Sequence, residues 1–227
     1  MKKYIPILFW IVLIAQLLFI QQEMATPRLV SKLLLVPLLI LMLVLNGVSL
    51  KQYWRAYVGL FFSWIGDGLL IFSGAEFFLA GMIAFILAHV HYSLYFIQLH
   101  PARLRWKGNF LLFFLGLLLL CLLLFNWLKP YLGVYQLPIL LYMAFISLMA
   151  SLAAHTAEKA GYRVLVWRSF IPGALLFVSS DALLAVNKFY GLPLWADIGV
   201  MLTYGMAQYF LTIGFRKVAL EQVKTTK

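Results

Sequence analysis

Eight stretches of this chain, each roughly 20 residues long and nearly free of charge, decide what it can fold into. They cover about residues 4–20, 29–48, 54–72, 76–98, 109–128, 131–153, 164–186 and 194–216. A helix needs about 20 apolar residues to cross a bilayer. The runs are continuous and Leu-rich rather than alternating, which excludes a β-barrel. With 65% of residues hydrophobic and only 11% charged, no soluble domain accounts for so much apolar surface. The connections are short and polar, so residues 1–227 read as a single integral-membrane domain. The expected fold class is all-α, a polytopic membrane protein with eight transmembrane helices. The first run follows Lys2 and Lys3 as in a signal peptide, but no small-residue cleavage site follows it, and it is kept as a helix.

The net charge of +11 raises nucleic acid as a partner. In a membrane protein the simpler account is cytoplasmic loops that face anionic lipid, so membrane lipids and not nucleic acid are the expected partners. With the N-terminus inside, the cytoplasmic set is Lys2, Lys3, Lys51, Arg55, Arg103, Arg105, Lys107, Lys159, Arg163, Arg168, Arg216, Lys217, Lys224 and Lys227. The outer set is Arg28, Lys32, Lys129 and Lys188, a split of 14 to 4. That asymmetry favours both termini in the cytoplasm and a multi-pass protein of a cell membrane, the inner membrane if the cell is bacterial. Cys121 is the only cysteine, which leaves no disulfide framework and no thiolate metal site.

Two aspartates lie inside these spans. Asp67 sits in Phe62-Ser-Trp-Ile-Gly-Asp-Gly-Leu-Leu, and Asp181 in Phe177-Val-Ser-Ser-Asp-Ala-Leu-Leu. A carboxylate at bilayer depth costs ~2.5–3.5 kcal/mol on the gentlest scale and calls for a partner or a function. Both spans run from inside to outside, and both aspartates fall beyond the midpoint, at similar depth. They are expected to converge on one site as an acid and a base. The plainer account is two structural ion pairs, for example with Lys32 and Lys188. Asp67 precedes His91 by 24 residues and Asp181 precedes Tyr204 by 23, a weak echo of a parallel 4+4 repeat.

Other polar groups share that depth. His89 and His91 point about 200° apart on a helix, so both cannot hold one ion. His89 is a candidate for hydrogen bonding or proton shuttling, or for a satisfied interhelical histidine. Lys32 opens the second span, as an anchor that reaches the interface or as a cation that steadies a carboxylate or a lipid phosphate. Tyr204 and Gln208 share a helix face one turn apart, where they orient water or substrate beside Asp181 or act as interhelical glue. Asn187 and Lys188 close the seventh span. Ser63 lies one turn before Asp67, but no Gly-x-Ser-x-Gly elbow surrounds it. The chain also lacks a P-loop, a Rossmann glycine pattern and a His-Glu-x-x-His motif. No cofactor or metal is expected.

Taken together, four motifs resemble the YhhN-like lysoplasmalogenases, a family of multi-span membrane hydrolases. They are Phe62-Ser-Trp-Ile-Gly-Asp67-Gly-Leu-Leu, Phe85-Ile-Leu-Ala-His89-Val-His-Tyr92, Ser180-Asp181-Ala-Leu-Leu-Ala-Val-Asn187-Lys188-Phe189 and Thr203-Tyr204-Gly-Met-Ala-Gln208, in the family's order. With Ser31-Lys32 the resemblance covers most of the chain, although the family often has Pro where this chain has Leu33. The resemblance implies hydrolysis of the vinyl ether of a lysoplasmalogen. Asp67 and Asp181 would be catalytic, and Lys32, His89, Tyr92, Asn187, Lys188, Tyr204 and Gln208 would contact the substrate. Two rivals fit the same residues: a proton- or cation-coupled transporter, and an intramembrane aspartyl protease prompted by Ile65-Gly66-Asp67. Asp181 follows Ser180 rather than the Tyr such a protease has, which ranks that reading last of the three.

Overall fold

The computed structural model describes residues 2–101 and 108–225. Arg103, Arg105, Lys107 and Lys227, four of the cations counted as cytoplasmic, lie outside the described residues. Among the described residues the chain forms helices and no strand, as its Leu-rich runs require. The helices are α1 (Ile5–Gln21), α2 (Ala25–Leu45), α3 (Leu50–Leu69), α4 (Ala75–Leu99), α5 (Gly108–Leu132), α6 (Gln136–His155), α7 (Arg163–Arg168), α8 (Phe170–Tyr190) and α9 (Trp195–Thr225). Short 3-10 turns at Gly133–Tyr135 and Thr156–Glu158 flank α6.

Five stretches of the described residues are long and apolar enough to cross a membrane: Ala25–Leu45, Ala75–Leu99, Gly108–Glu158, Arg163–Tyr190 and Trp195–Val223. The third of these holds both α5 and α6. Helix α1 is apolar but shorter, and α3, which carries Lys51, Arg55 and Asp67, is not among the five. The protein is thus an all-helical membrane protein.

The seventh expected span is divided. Pro172 has no N–H, and its ring crowds the carbonyl of Arg168, which favours a break here, whereas α2 and α5 run on through Pro37 and Pro130. Ser169 takes up the break with φ −141° and ψ −68°, and Ser169 Oγ donates to the Leu165 carbonyl at 2.6 Å. In turn α8 runs past residue 186 to Tyr190, where Gly191 ends it at φ +76°. Asn187 and Lys188 therefore lie on the last turn of α8, rather than in a connecting loop.

Helices α2, α3, α4, α6, α8 and α9 pack in a closed ring, with α1 over α2 and α9, and α5 outside against α6 and α8. Small residues set the closest approach, as they do where helices pack in lipid. A Cβ on Gly59 would fall 2.3 Å from the Tyr92 ring, and one on Gly66 would fall 2.7 Å from the Phe85 ring. Those two glycines let α3 sit directly on α4 and fix the rotation that turns Asp67 inward. Helix α5 shows the opposite pattern: Leu112, Leu115, Leu119 and Leu123 are all exposed, as suits a face toward lipid.

Candidate functional site

Within the ring, α2, α3, α4, α8 and α9 enclose an open cavity of about 200 Å³. Its lining includes Arg28, Lys32, Asp67, Asp181, Lys188, Asp197 and Tyr204. Thus the two aspartates, 114 positions apart in sequence, face one space, and three cations share it with them.

Asp67 is 2% exposed. Its Oδ2 accepts from Tyr204 Oη at 2.5 Å, and Lys32 Nζ stands 4.0 Å from its Oδ1. Tyr204 has one proton and gives it to Asp67, so its oxygen is free to accept from Gln208 Nε2 at 3.3 Å. The Gln208 carbonyl oxygen accepts from Tyr92 Oη at 3.0 Å. Every donor in this chain points toward Asp67. Gln208 and Tyr92 themselves stand behind the cavity wall and do not line it.

Asp181 is more open, with 12% of its side chain exposed. Its Oδ2 accepts from Tyr142 Oη at 2.6 Å. Because that uses the Tyr142 proton, the contact of 3.2 Å between His89 Nε2 and Tyr142 Oη assigns the proton to Nε2. His89 Nε2 also lies 3.7 Å from Asp181 Oδ2. His89 is fully buried, and its Nδ1 has no hydrogen-bond partner among the described residues. His91 faces elsewhere, edge-on to Trp54 and tilted against Phe62, in line with the opposed directions of the two rings.

The remaining site residues form the rim. Lys188 Nζ lies 5.1 Å above the Phe78 ring and pairs with no carboxylate among the described residues, so the structural ion pair with Asp181 does not form. Asn187 Nδ2 donates to Asp197 Oδ1 at 2.7 Å, while Arg28 donates to Asp197 Oδ2 at 3.2 Å. Asn187 thus positions the rim and does not itself face the cavity. Tyr142, Arg28 and Asp197 are additions to the expected set. Tyr142 carries no sequence signal, since it is one aromatic residue in an apolar run. Arg28 and Asp197 open α2 and α9 and lie 169 positions apart, so nothing local ties them. Ser63 is buried, donates to the Gly59 carbonyl at 3.1 Å and does not line the cavity.

A second, smaller space of about 30 Å³ adjoins the cavity across Asp181 and is walled by Phe78, Met82, Phe85, Ile139, Tyr142 and Leu184. On the other side, Arg28 and Lys32 also line a space of about 440 Å³ between the end of α1, the start of α2 and the end of α3. The site therefore has a charged side and an apolar side with the aspartates between them. Among the described residues, no three metal-ligating side chains gather at this cavity.

Comparison with known proteins adds to this geometry. Residues 27–215 match the model of the YhhN family. The chain is 32% identical over 166 residues to the lysoplasmalogenase TMEM86A of Bos taurus and 31% identical over 166 residues to that of Homo sapiens. Each alignment covers 70% of this chain and 64% of the relative, so the chain spans less than two thirds of those proteins. No solved structure matches the chain.

Proposed function

The chain belongs to the YhhN family, and we propose that it is a lysoplasmalogenase. It cleaves the vinyl ether of a lysoplasmalogen to a fatty aldehyde and glycerophosphoethanolamine or glycerophosphocholine. The observation that carries this reading is the meeting of Asp67 and Asp181 on one cavity whose wall also holds Arg28, Lys32 and Lys188.

The chemistry asks for such a pair. A vinyl ether is broken by protonation of its β-carbon, which leaves an oxocarbenium ion at the α-carbon. One carboxylic acid supplies that proton, and the negative carboxylate opposite stabilises the cation. This carboxylate then takes a proton from water as the water oxygen bonds to the α-carbon. The hemiacetal collapses, its C–O bond to glycerol breaks, and the glycerol oxygen leaves protonated. Glycosidases divide two carboxylates over an oxocarbenium ion in the same way, at separations of roughly 5–10 Å. Tyr204 and Tyr142 each hold one oxygen of a carboxylate, and both aspartates line the cavity. The cations supply the counter-charge for the phosphodiester, and Lys188, which lacks a carboxylate, is the freest of them to take it.

The same reading places the protein in a cell membrane with eight crossings and both termini in the cytoplasm, so that the aspartates lie in the outer half. A C-terminal fusion that reports an outside location would overturn that orientation. The function is tested with purified protein in detergent and lysoplasmenylethanolamine, with aldehyde as the readout. Detergent leaves no sealed compartment, so aldehyde release separates hydrolysis from transport. Absence of aldehyde from every lysoplasmalogen head group tried would end the proposal.

A further inference from the structure

At the far end of α4 and α6 from the cavity, three side chains with metal-ligand chemistry come together: His100, His155 and Glu158. One ligand atom from each lies within 4.8 Å of the others. Along α6, His155 is about 20 Å from Tyr142, so this cluster is separate from the aspartate site. The sequence gives no hint of it, because His100 closes α4 while His155 and Glu158 close α6 and its 3-10 turn.

We propose that His100, His155 and Glu158 bind a zinc ion that fastens the end of α4 to the end of α6. His155 is 8% exposed, yet neither of its ring nitrogens has a hydrogen-bond partner among the described residues. Its Nδ1 stands 3.2 Å from Glu158 Oε2, at an angle that makes no hydrogen bond. An ion pair alone does not satisfy this ring. If charged, His155 carries a second N–H with no acceptor; if neutral, it leaves a buried nitrogen unused, and either state leaves a buried polar group unsatisfied. A shared ion fits the spacing. Two ligands at 2.0–2.2 Å from a tetrahedral zinc stand about 3.4 Å apart, close to the 3.2 Å between His155 Nδ1 and Glu158 Oε2. The His100 and His155 rings lie 4.6 Å apart and 33° from parallel, near enough to reach one ion by small side-chain rotations.

The surroundings are built for a carboxylate ligand. Glu158 Oε1 accepts from the Asn109 backbone N–H at 2.7 Å, the kind of support that orients metal-bound carboxylates. Gly108 sits at φ +68°, and a Cβ there would fall 2.3 Å from Glu158 Oε1. The positive φ favours glycine here, and the Glu158 carboxylate occupies the space a Cβ would take. Two imidazoles and one carboxylate suit zinc, with the fourth position open to water.

The test uses tag-free, full-length protein in detergent, stripped with EDTA and titrated with zinc chloride against a weak chelator. We expect one equivalent of zinc per chain and a thermal midpoint that rises with zinc concentration. His155→Ala and Glu158→Gln should each weaken binding at least ~10-fold while the zinc-free proteins keep the size-exclusion profile of the parent. Cobalt(II) reads the same site without a variant: a four-coordinate site absorbs strongly in the visible, an octahedral one weakly. Parent protein that binds no zinc, or His155→Ala protein that binds it as tightly as the parent, overturns the proposal. So does a weak, octahedral cobalt spectrum.

Discussion

The two aspartates face one cavity from unlike surroundings. Asp67 ends a closed chain: Tyr92 donates to Gln208, Gln208 to Tyr204, and Tyr204 to Asp67. Every member is buried, and the backbone glycines of α3 hold the chain against α4. Asp181 ends a shorter chain, Tyr142 and then His89, whose last nitrogen is unpartnered among the described residues. The first arm ends on a phenol that is itself hydrogen-bonded, and the second on a buried imidazole with one unpartnered nitrogen among the described residues. The same Asp-x-Leu-Leu sequence therefore stands in two different settings. Under the proposed mechanism, the Asp67 arm would hold its carboxylate in place, and the Asp181 arm would link its carboxylate to an imidazole.

The largest effect should come from the carboxylates themselves, and it would break the comparison if the two differed. Asp67→Asn and Asp181→Asn each keep size and polarity but remove proton transfer, so aldehyde release should fall by at least ~10²-fold. Groups that act as one unit are not additive, so the double variant should be little worse than the worse single. Near-normal turnover from either well-folded variant removes the paired-aspartate mechanism.

Next come the tyrosines, which sharpen the contrast. Tyr142→Phe cuts the link from His89 to Asp181, and turnover should drop by about 10-fold with a changed pH profile, less than the loss of a general acid or base itself. His89→Gln should reproduce that change. Tyr204→Phe should lower turnover less and leave the profile's shape alone. Equal profiles for Tyr142→Phe and Tyr204→Phe would show that the two arms do the same job.

A smaller effect on rate but a clear one on stability is expected from Gln208→Leu. It leaves the buried hydroxyl of Tyr92 without its acceptor, at ~1–3 kcal/mol. The thermal midpoint in detergent should fall while kcat per folded molecule changes little. A large loss of kcat with unchanged stability would move the Asp67 arm from support to chemistry. The smallest effect belongs to the rim: Lys188→Met should raise KM several-fold for a phosphate-bearing substrate and leave kcat close to that of the parent, as loss of uniform binding does.

Much of this was legible in order along the chain. The apolar runs declared helices, since nothing else of that length satisfies its backbone in lipid. Asp67 and Asp181 stood out because a carboxylate at that depth is costly. Tyr204 and Gln208 share a face by simple helical period, and they do bond to each other. Two local signals were present but outweighed by hydropathy: Pro172, which divides the seventh run, and Gly191, which lets α8 reach Lys188 and Tyr190. Tyr142 gave no signal at all, because a tyrosine among leucines looks the same whether it faces lipid or a carboxylate.

By itself, then, the sequence determined the solvent. Its composition fixes a membrane as the surroundings, helices as the elements, and two aspartates as the groups that need explanation. Those are local properties of residue type and spacing, and each can be read within one turn or one span. Partnership was decided only by the tertiary structure. Which phenol holds which carboxylate, that Arg28 meets Asp197, and that His100 meets His155 depend on how helices rotate and close into a ring. That rotation is set by contacts between residues far apart in sequence, such as Gly59 against Tyr92 and Gly66 against Phe85. Hydropathy is blind to it, because a helix that is apolar all round does not declare which side faces its neighbours.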